Sequence, residues 1–84
     1  MHDDIIKAHT HSINHRKNIE LDSTCGCFFC LEIFHPKEIV EWIQDRLDET
    51  ALCPYCDIDS VIGESSGYPI TKEFLTAMRK HWFW

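Results

Sequence analysis

The stretch CGCFFCLEIFHPKEIVEWIQDRLDETALCPYC, residues 25–56, carries all five cysteines of the chain. Two pairs share one spacing, with two residues between the first cysteine and the second. This spacing allows a tight turn to direct both sulfur atoms at one point, with backbone N–H groups supporting the thiolates. The 22 residues of the interval 31–52 leave room for one helix between the two turns. The pattern predicts one tetrahedral Zn²⁺ site whose ligands are Cys27, Cys30, Cys53 and Cys56.

Four thiolate ligands fill the coordination shell of zinc and leave no position for water or substrate. The predicted zinc is therefore structural, and no enzymatic activity is expected. Cys25 is a surplus thiol and a candidate substitute for Cys27 as a ligand. Iron held by the same four thiolates is the alternative metal. An odd number of cysteines without a secretory signal argues against a disulfide framework.

The length of the chain is consistent with a structural metal. Its 84 residues and 9.9 kDa allow one small domain, and near this size a hydrophobic core alone gives marginal stability. The N-terminus has no basic stretch followed by an apolar one, and no apolar run approaches the roughly 18–20 residues that cross a bilayer. We therefore expect a cytoplasmic protein.

Hydrophobic periodicity predicts the remaining architecture. Residues 1–24 form a weakly helical N-terminal segment, and residues 25–84 form the four-cysteine zinc-knuckle domain, together a single domain. Pro36 fits the first turn of a helix over 36–48, and a second apolar stripe predicts an amphipathic helix over 70–83. The apolar positions of the 36–48 helix are Ile39, Val40, Ile43 and Leu47. The predicted fold is a small α-rich (α+β) metal-stabilised domain with a helix between its two zinc knuckles.

Charge is unevenly distributed along the chain. The chain has 14 acidic and 8 basic residues, a net charge of −6, and residues 25–66 alone carry nine acids and two bases. Nucleic acid attracts a basic face, so this balance fits a basic protein partner better. Acidic side chains lie on the predicted 36–48 helix opposite its apolar stripe, with a tryptophan at the flank as an aromatic anchor. The candidate partner-binding residues are Glu38, Glu41, Trp42, Asp45, Asp48 and Glu49.

These features predict a non-catalytic zinc-binding protein that acts through protein–protein binding. Small size, a cytoplasmic location and negative charge are typical of immunity proteins and antitoxins, which cover a basic surface of a toxin domain. The alternative is a nucleic-acid-binding zinc finger protein. In that case Phe28, Phe29 and Tyr55 would stack on bases, and Arg79 and Lys80 would contact phosphates.

Four of the six histidines lie in residues 1–15. His11 and His15 are four residues apart, the spacing of a two-histidine metal site on one helix face. No third ligand is placed beside them in the sequence. The simpler interpretation is that these histidines are exposed or cap helix ends.

The runs HSINHRKNIE, CGCFFCLEIFHPKEIVEWI and ALCPYCDIDSVIGESSGYPITKEFL resemble a family of small bacterial proteins that are described only as cytoplasmic proteins. The resemblance covers most of residues 11–83. Its cysteine turns look like zinc knuckles of the zinc-ribbon or treble-clef kind, so the resemblance implies a zinc-bound fold more than a function. Asp57 stands where such knuckles usually have glycine, and an aspartate adopts the left-handed backbone there at some cost.

Overall fold

A computed structural model describes residues 2–13, 15–44 and 46–83. Within these ranges there are three α-helices, α1 (His2–His9), α2 (Arg16–Ile19) and α3 (Lys72–Phe83). The strands of the same ranges are β1 (Cys25–Cys27), β2 (Ile33–Phe34), β3 (Trp42–Gln44), β4 (Glu49–Ala51) and β5 (Val61–Gly63). Short 3-10 turns cover Thr10–Ser12, Pro36–Glu38 and Glu64–Ser66. The predicted α+β class is confirmed.

The strands form two small antiparallel sheets. β1 is the centre of a three-stranded sheet in the order β2-β1-β5, and β3 pairs with β4 in a separate hairpin. Cys25 lies opposite Phe34 on one side and opposite Gly63 on the other. The strand that leads into the first cysteine turn is therefore held on both sides by backbone hydrogen bonds.

The two faces of the three-stranded sheet contribute to two different clusters of buried side chains, because successive strand residues point to opposite faces. Cys27 and Val61 lie opposite each other and belong to one cluster, whereas Ile62 belongs to the other. The first cluster, the cysteine core, consists of Ile19, Cys25, Cys27, Phe34, Ile39, Ala51, Cys53 and Val61. The second cluster, the helix core, consists of Ile5, Ala8, Phe28, Ile62, Phe74, Leu75 and Met78.

Gly26 allows α3 to pack closely on the sheet. A Cβ atom at Gly26 would lie 2.8 Å from Leu75 Cδ1 and 3.0 Å from Ile70 Cγ2, closer than ordinary contacts. α3 begins at Lys72 and buries three of its apolar side chains in the helix core. The amphipathic C-terminal helix predicted over 70–83 is therefore confirmed, with a slightly later start.

The helix predicted over 36–48 is wrong. The segment begins with the 3-10 turn Pro36–Glu38, which is capped reciprocally by His35 and Glu38. The chain then leaves the helical conformation at Ile39, whose φ is −71° and ψ is 123°. It continues into β3, turns, and returns as β4. A β-hairpin therefore lies between the two cysteine turns.

The exposure of the apolar side chains shows why the helical interpretation fails. Only Ile39 of the expected stripe is buried, whereas Val40 is 79%, Ile43 46% and Leu47 89% exposed. Helical spacing was present in the sequence, but the segment is also rich in β-branched residues, which favour strands. The pairing of Ile43 with Thr50 across the hairpin satisfies backbone groups that a helix would have satisfied locally.

The N-terminal segment predicted over 1–24 forms part of both cores. Ile5 and Ala8 of α1 belong to the helix core, and Ile19 of α2 belongs to the cysteine core. The indole N–H of Trp82 donates to the Ile5 carbonyl at 3.3 Å and ties α3 to α1. Among the described residues, no helix has the length and apolar character required to cross a membrane.

His15 takes the place of a neighbouring strand at the outer edge of β4. Its backbone N–H donates to the Glu49 carbonyl at 3.0 Å, and its Nε2 accepts from the Ala51 N–H at 3.0 Å. Because Nε2 accepts, the proton of the neutral ring is on Nδ1, which donates to the His11 carbonyl at 2.8 Å. His15 is therefore a buried structural residue, not the exposed or capping residue expected, and both of its ring nitrogens already have partners.

We expect the protein to lose stability in mild acid through His15. Burial lowers the pKa of His15 below its ordinary value of 6.5, and the opposing effects of the His11 carbonyl and of Asp48 only reduce this shift. The unfolded chain therefore takes up a proton first as the pH falls below 6.5. The contribution of the neutral ring to stability is complete above that pH and decreases as the pH falls toward the folded-state pKa. Denaturant unfolding of the metal-loaded protein at about pH 7.5 and about pH 5.5 measures the loss.

The variant His15→Gln, which does not titrate, provides the comparison. Its free energy of unfolding should change less between the two pH values than that of the wild type. Acid also weakens metal binding in every variant, so a control with a different histidine replaced is needed. His11 is exposed, and the free energy of unfolding of His11→Gln should fall between the two pH values as much as that of the wild type. An equal loss in the wild type and in His15→Gln would contradict the assignment.

Candidate metal centre

The two cysteine turns have the same backbone hydrogen bonds. In the first turn, the Leu31 N–H donates to the Cys27 carbonyl at 2.9 Å. In the second turn, the Asp57 N–H donates to the Cys53 carbonyl at the same distance, so in both turns the donor lies four residues after the first cysteine. The N–H of the first cysteine donates to the carbonyl of the fifth residue after it, at 3.0 Å in both turns. The chain therefore builds the same sulfur-presenting turn twice.

Each turn ends with a residue in the left-handed backbone region. Asp57 has φ 63°, the conformation expected for it from the sequence, and Leu31 at the equivalent position has φ 68°. A residue with a Cβ atom pays about 1–2 kcal/mol for this conformation. This conformation occurs in both turns, because the left-handed residue reverses the direction of the backbone after the second cysteine of each turn.

The four sulfur atoms of the two turns converge. The Sγ atoms of Cys27 and Cys56 are 3.6 Å apart, as are those of Cys30 and Cys53. All four sulfur atoms lie within 4.8 Å of one another. A tetrahedral site with Zn–S bonds of about 2.3 Å has S–S edges of about 3.8 Å. The four cysteines singled out by their spacing can therefore bind one metal ion, and each 3.6 Å pair joins one turn to the other.

Backbone N–H groups point at the first cysteine of each turn. Cys27 Sγ accepts from the N–H of Phe29 at 3.3 Å and of Cys30 at 3.5 Å, and Cys53 Sγ accepts from the N–H of Tyr55 at 3.4 Å. The first cysteine of each turn is buried and the second is half-buried. The cluster therefore has a closed side that faces the cysteine core and a more open side that faces solvent.

The electrostatics of the cluster favour a bound cation. Burial raises the pKa of Cys27, but hydrogen bonds from the Ser60 hydroxyl and from backbone N–H groups outweigh it and lower the pKa overall. Burial raises the pKa of Cys53, and it raises the pKa of Cys56 to about 11. The nearby charge of Cys27 raises both pKa values further. Four thiolates this close repel one another, so a divalent cation is the natural compensating charge.

Cys25, the candidate substitute ligand, lies outside this cluster. Its Sγ donates to the Phe34 carbonyl at 3.5 Å, and its side chain is buried in the cysteine core. Burial raises the pKa of Cys25 to about 12, with smaller contributions from the charges of Asp22 and Glu38. Cys25 is therefore a neutral thiol that packs like a small apolar residue.

The acidic residues expected on one helix face are distributed over the hairpin and the turns beside it, since that helix does not form. Glu38 accepts from the Tyr55 hydroxyl and from the His35 N–H, at 3.0 Å for the latter. Asp48 accepts from the backbone N–H of Lys17 at 3.0 Å and thereby joins the hairpin to α2. These two carboxylates have structural partners within the chain.

The remaining candidate partner-binding residues differ in exposure. Glu49 pairs with Arg16 at 2.9 Å, and the Arg16 guanidinium lies 4.7 Å from the centre of the Trp42 ring. Trp42 is half-buried and Glu41 is exposed. Asp45 lies outside the described residues.

The aromatic residues named for the nucleic-acid alternative also differ in their exposure and contacts. Phe28 is buried in the helix core, where it has no face open to a base. Phe29 packs edge-on against Phe83, with ring centres 4.9 Å apart, and Arg79 lies 5.3 Å from the centre of the Phe29 ring. Tyr55 is exposed and bonded to Glu38.

Ser60 is a residue of the site that sequence reasoning missed. It is buried, and its Oγ lies 3.0 Å from Cys27 Sγ. Ser60 directly precedes β5, and the pairing of β5 with β1 brings it beside Cys27. A pairing between strands that are more than 30 residues apart leaves no local signal in the sequence.

Comparison of the chain with protein-family models, with curated proteins and with solved structures gives no match. The resemblance to the small bacterial proteins therefore stays a prediction, and functional inference rests on the geometry of the site itself.

Proposed function

We propose that this is a non-catalytic zinc protein, in which one structural Zn²⁺ is held by Cys27, Cys30, Cys53 and Cys56. The convergence of four sulfur atoms within 4.8 Å carries the proposal. A four-sulfur tetrahedral set is typical of structural zinc, and it leaves the metal no open position for chemistry. The two turns lie far apart along the chain, so the metal acts as a cross-link that closes the small cysteine core.

Elemental analysis of the purified protein tests the identity of the metal. One zinc per chain is expected. Iron at the same stoichiometry would replace zinc in the proposal, and a folded protein that binds neither metal would overturn it.

We further propose that the protein acts by binding a basic protein partner, in the manner of an immunity protein or antitoxin that covers a cationic surface. The net charge of −6, and the excess of seven acids in residues 25–66, supports an electropositive partner. Glu41 is exposed and lies next in sequence to the exposed Val40, and Ile43 of β3 is also partly exposed. Charge at this position would guide association, and the neighbouring apolar side chains would contribute contact area.

Selection from a random peptide library on the zinc-loaded protein tests this proposal. We expect peptides that combine lysine or arginine with apolar residues, and binding that weakens as salt is raised. Glu41→Lys should weaken binding by about tenfold or more. Glu73→Lys, the same charge change in the first turn of α3, is the matched control and should weaken it much less.

Three outcomes would contradict the proposal. Selected peptides that are acidic or uncharged would remove the electrostatic argument. An equal loss in Glu41→Lys and Glu73→Lys would show that only net charge matters. Salt-sensitive binding of mixed RNA or DNA in a gel-shift assay would favour the nucleic-acid alternative, for which Phe29 and Arg79 are the residues to change.

A further inference from the structure

Ser60 joins the two halves of the metal centre. It follows the second cysteine turn in the sequence, but its contacts are with the first. Its side chain is 1% exposed, and its Oγ lies 3.0 Å from Cys27 Sγ. Its carbonyl accepts from the N–H of Phe28 at 3.0 Å, which fixes its backbone beside the same ligand. Ser60 is therefore held in one place by both its main chain and its side chain.

The direction of the Ser60 hydrogen bond follows from the state of the sulfur. A hydroxyl both donates and accepts, whereas a metal-bound thiolate has no proton to donate. When Cys27 binds a metal, the Ser60 hydroxyl must therefore be the donor. Cys53 has the equivalent position in the other turn, and its sulfur also accepts a hydrogen bond from the backbone. Among the described residues, Cys27 differs from Cys53 in that its sulfur has a side-chain hydroxyl, that of Ser60, in addition to its backbone donors.

We propose that Ser60 is a positioning residue of the metal centre, whose hydroxyl stabilises the charge on the Cys27 thiolate and fixes the direction of its sulfur toward the metal. This inference rests on the proposed zinc site. Zn²⁺ with four thiolates carries a net charge of −2, and Cys27 is one of the two ligands that are fully buried. Charge-assisted hydrogen bonds are the means by which a buried anionic ligand is stabilised without solvent.

Ser60→Ala removes the hydroxyl with little change in size. We expect its zinc affinity, measured by competition with a chromophoric chelator, to be about tenfold weaker than that of the wild type. With Co²⁺ in place of zinc, the sulfur-to-metal charge-transfer band should move to longer wavelength, because the sulfur lone pairs rise in energy when a donor is lost. A role limited to packing would not move this band.

The matched control is Ser12→Ala. Ser12 is 2% exposed and donates one hydrogen bond to the His9 carbonyl at 2.7 Å, so the change removes an equally buried hydroxyl with no cysteine partner. Its zinc affinity and its Co²⁺ spectrum should equal those of the wild type. Ser60→Thr retains the hydroxyl and should keep the wild-type band. A Ser60→Ala variant that matches Ser12→Ala in both measurements would overturn the inference.

A measurement on the unaltered protein covers the case in which Ser60→Ala does not fold. In the ¹¹³Cd-loaded wild type, the Ser60 hydroxyl proton should exchange slowly with solvent and show scalar coupling to the metal through Cys27 Sγ. A freely exchanging hydroxyl without such coupling would refute the role of Ser60. Failure of the wild type to bind zinc or cadmium at all would instead refute the proposed metal site, so the two failures are distinguishable.

Discussion

Replacing Cys56 by serine, or removing the metal with a strong chelator, should convert the folded protein into an unfolded or aggregated chain. Structural zinc sites contribute about 10–16 kcal/mol of binding free energy to folding. A domain of this size has only about 5 kcal/mol of net stability without such help. Near-ultraviolet circular dichroism should report the loss of fixed aromatic packing, and refolding should require the metal. Cys27→Ser should behave in the same way.

Cys25→Ala is the matched control for these cysteine changes. Its thiol is as buried as that of Cys27 but lies outside the four-sulfur cluster, so one metal per chain should remain bound. The free energy of unfolding should fall only by the small amount that the loss of a buried sulfur costs. A Cys56→Ser protein that is soluble, folded and free of metal would show that the metal is not needed for folding.

Phe28→Ala is the second change with a large expected effect. Phe28 lies between Cys27 and Cys30 in the first cysteine turn, but its side chain is buried in the helix core. The centre of its ring lies 5.9 Å from the centre of the His9 ring and 5.8 Å from that of the Phe83 ring. Phe28 therefore connects the first cysteine turn to α1 and α3. Truncation of a buried phenylalanine costs about 3–5 kcal/mol, most of the net stability of a small domain. Denaturant unfolding of the metal-loaded protein measures the loss.

Phe29→Ala provides the comparison within the same turn. Phe29 is half-buried and contacts Phe83 and Arg79 at the edge of the structure, so its loss should cost about 1–2 kcal/mol. Both variants should still bind one metal, because the hydrogen bonds to the sulfur atoms come from the backbone of the turn. Equal destabilisation by the two changes would show that Phe28 does not connect the turn to the helices.

The cluster of four cysteines could be predicted from the sequence because the spacing that forms each turn is local. Two residues between cysteines determine a turn, and two equal turns indicate one shared ion. The C-terminal helix was predictable for the same reason, since its apolar stripe is read from one segment. The left-handed conformation at Asp57 was expected from the resemblance to zinc knuckles, which usually have glycine at that position, whereas Leu31 at the equivalent position was not recognised.

The hairpin between the turns depends on contacts that the segment cannot specify by itself. Ile39, Val40 and Ile43 match a helical stripe, and they are also the residue types that favour strands. Distant partners decide between these two structures, since at the outer edge of β4 the Ala51 N–H donates to His15 Nε2 and the Glu49 carbonyl accepts from the His15 N–H. Ser60 was missed for the same reason, because strand pairing across more than 30 residues brings it to Cys27.

The position of the His15 ring has a consequence for solubility. An exposed strand edge is a template for pairing with another chain, and proteins usually protect it with charges, proline or a covering element. In this protein, His15 engages two groups on the outer edge of β4: its ring accepts from the Ala51 N–H, and its backbone N–H donates to the Glu49 carbonyl. A protonated ring is a donor at both nitrogens and would release the Ala51 amide. Acidification would therefore leave the Ala51 N–H at this edge without its acceptor and open to pairing with a strand of another chain.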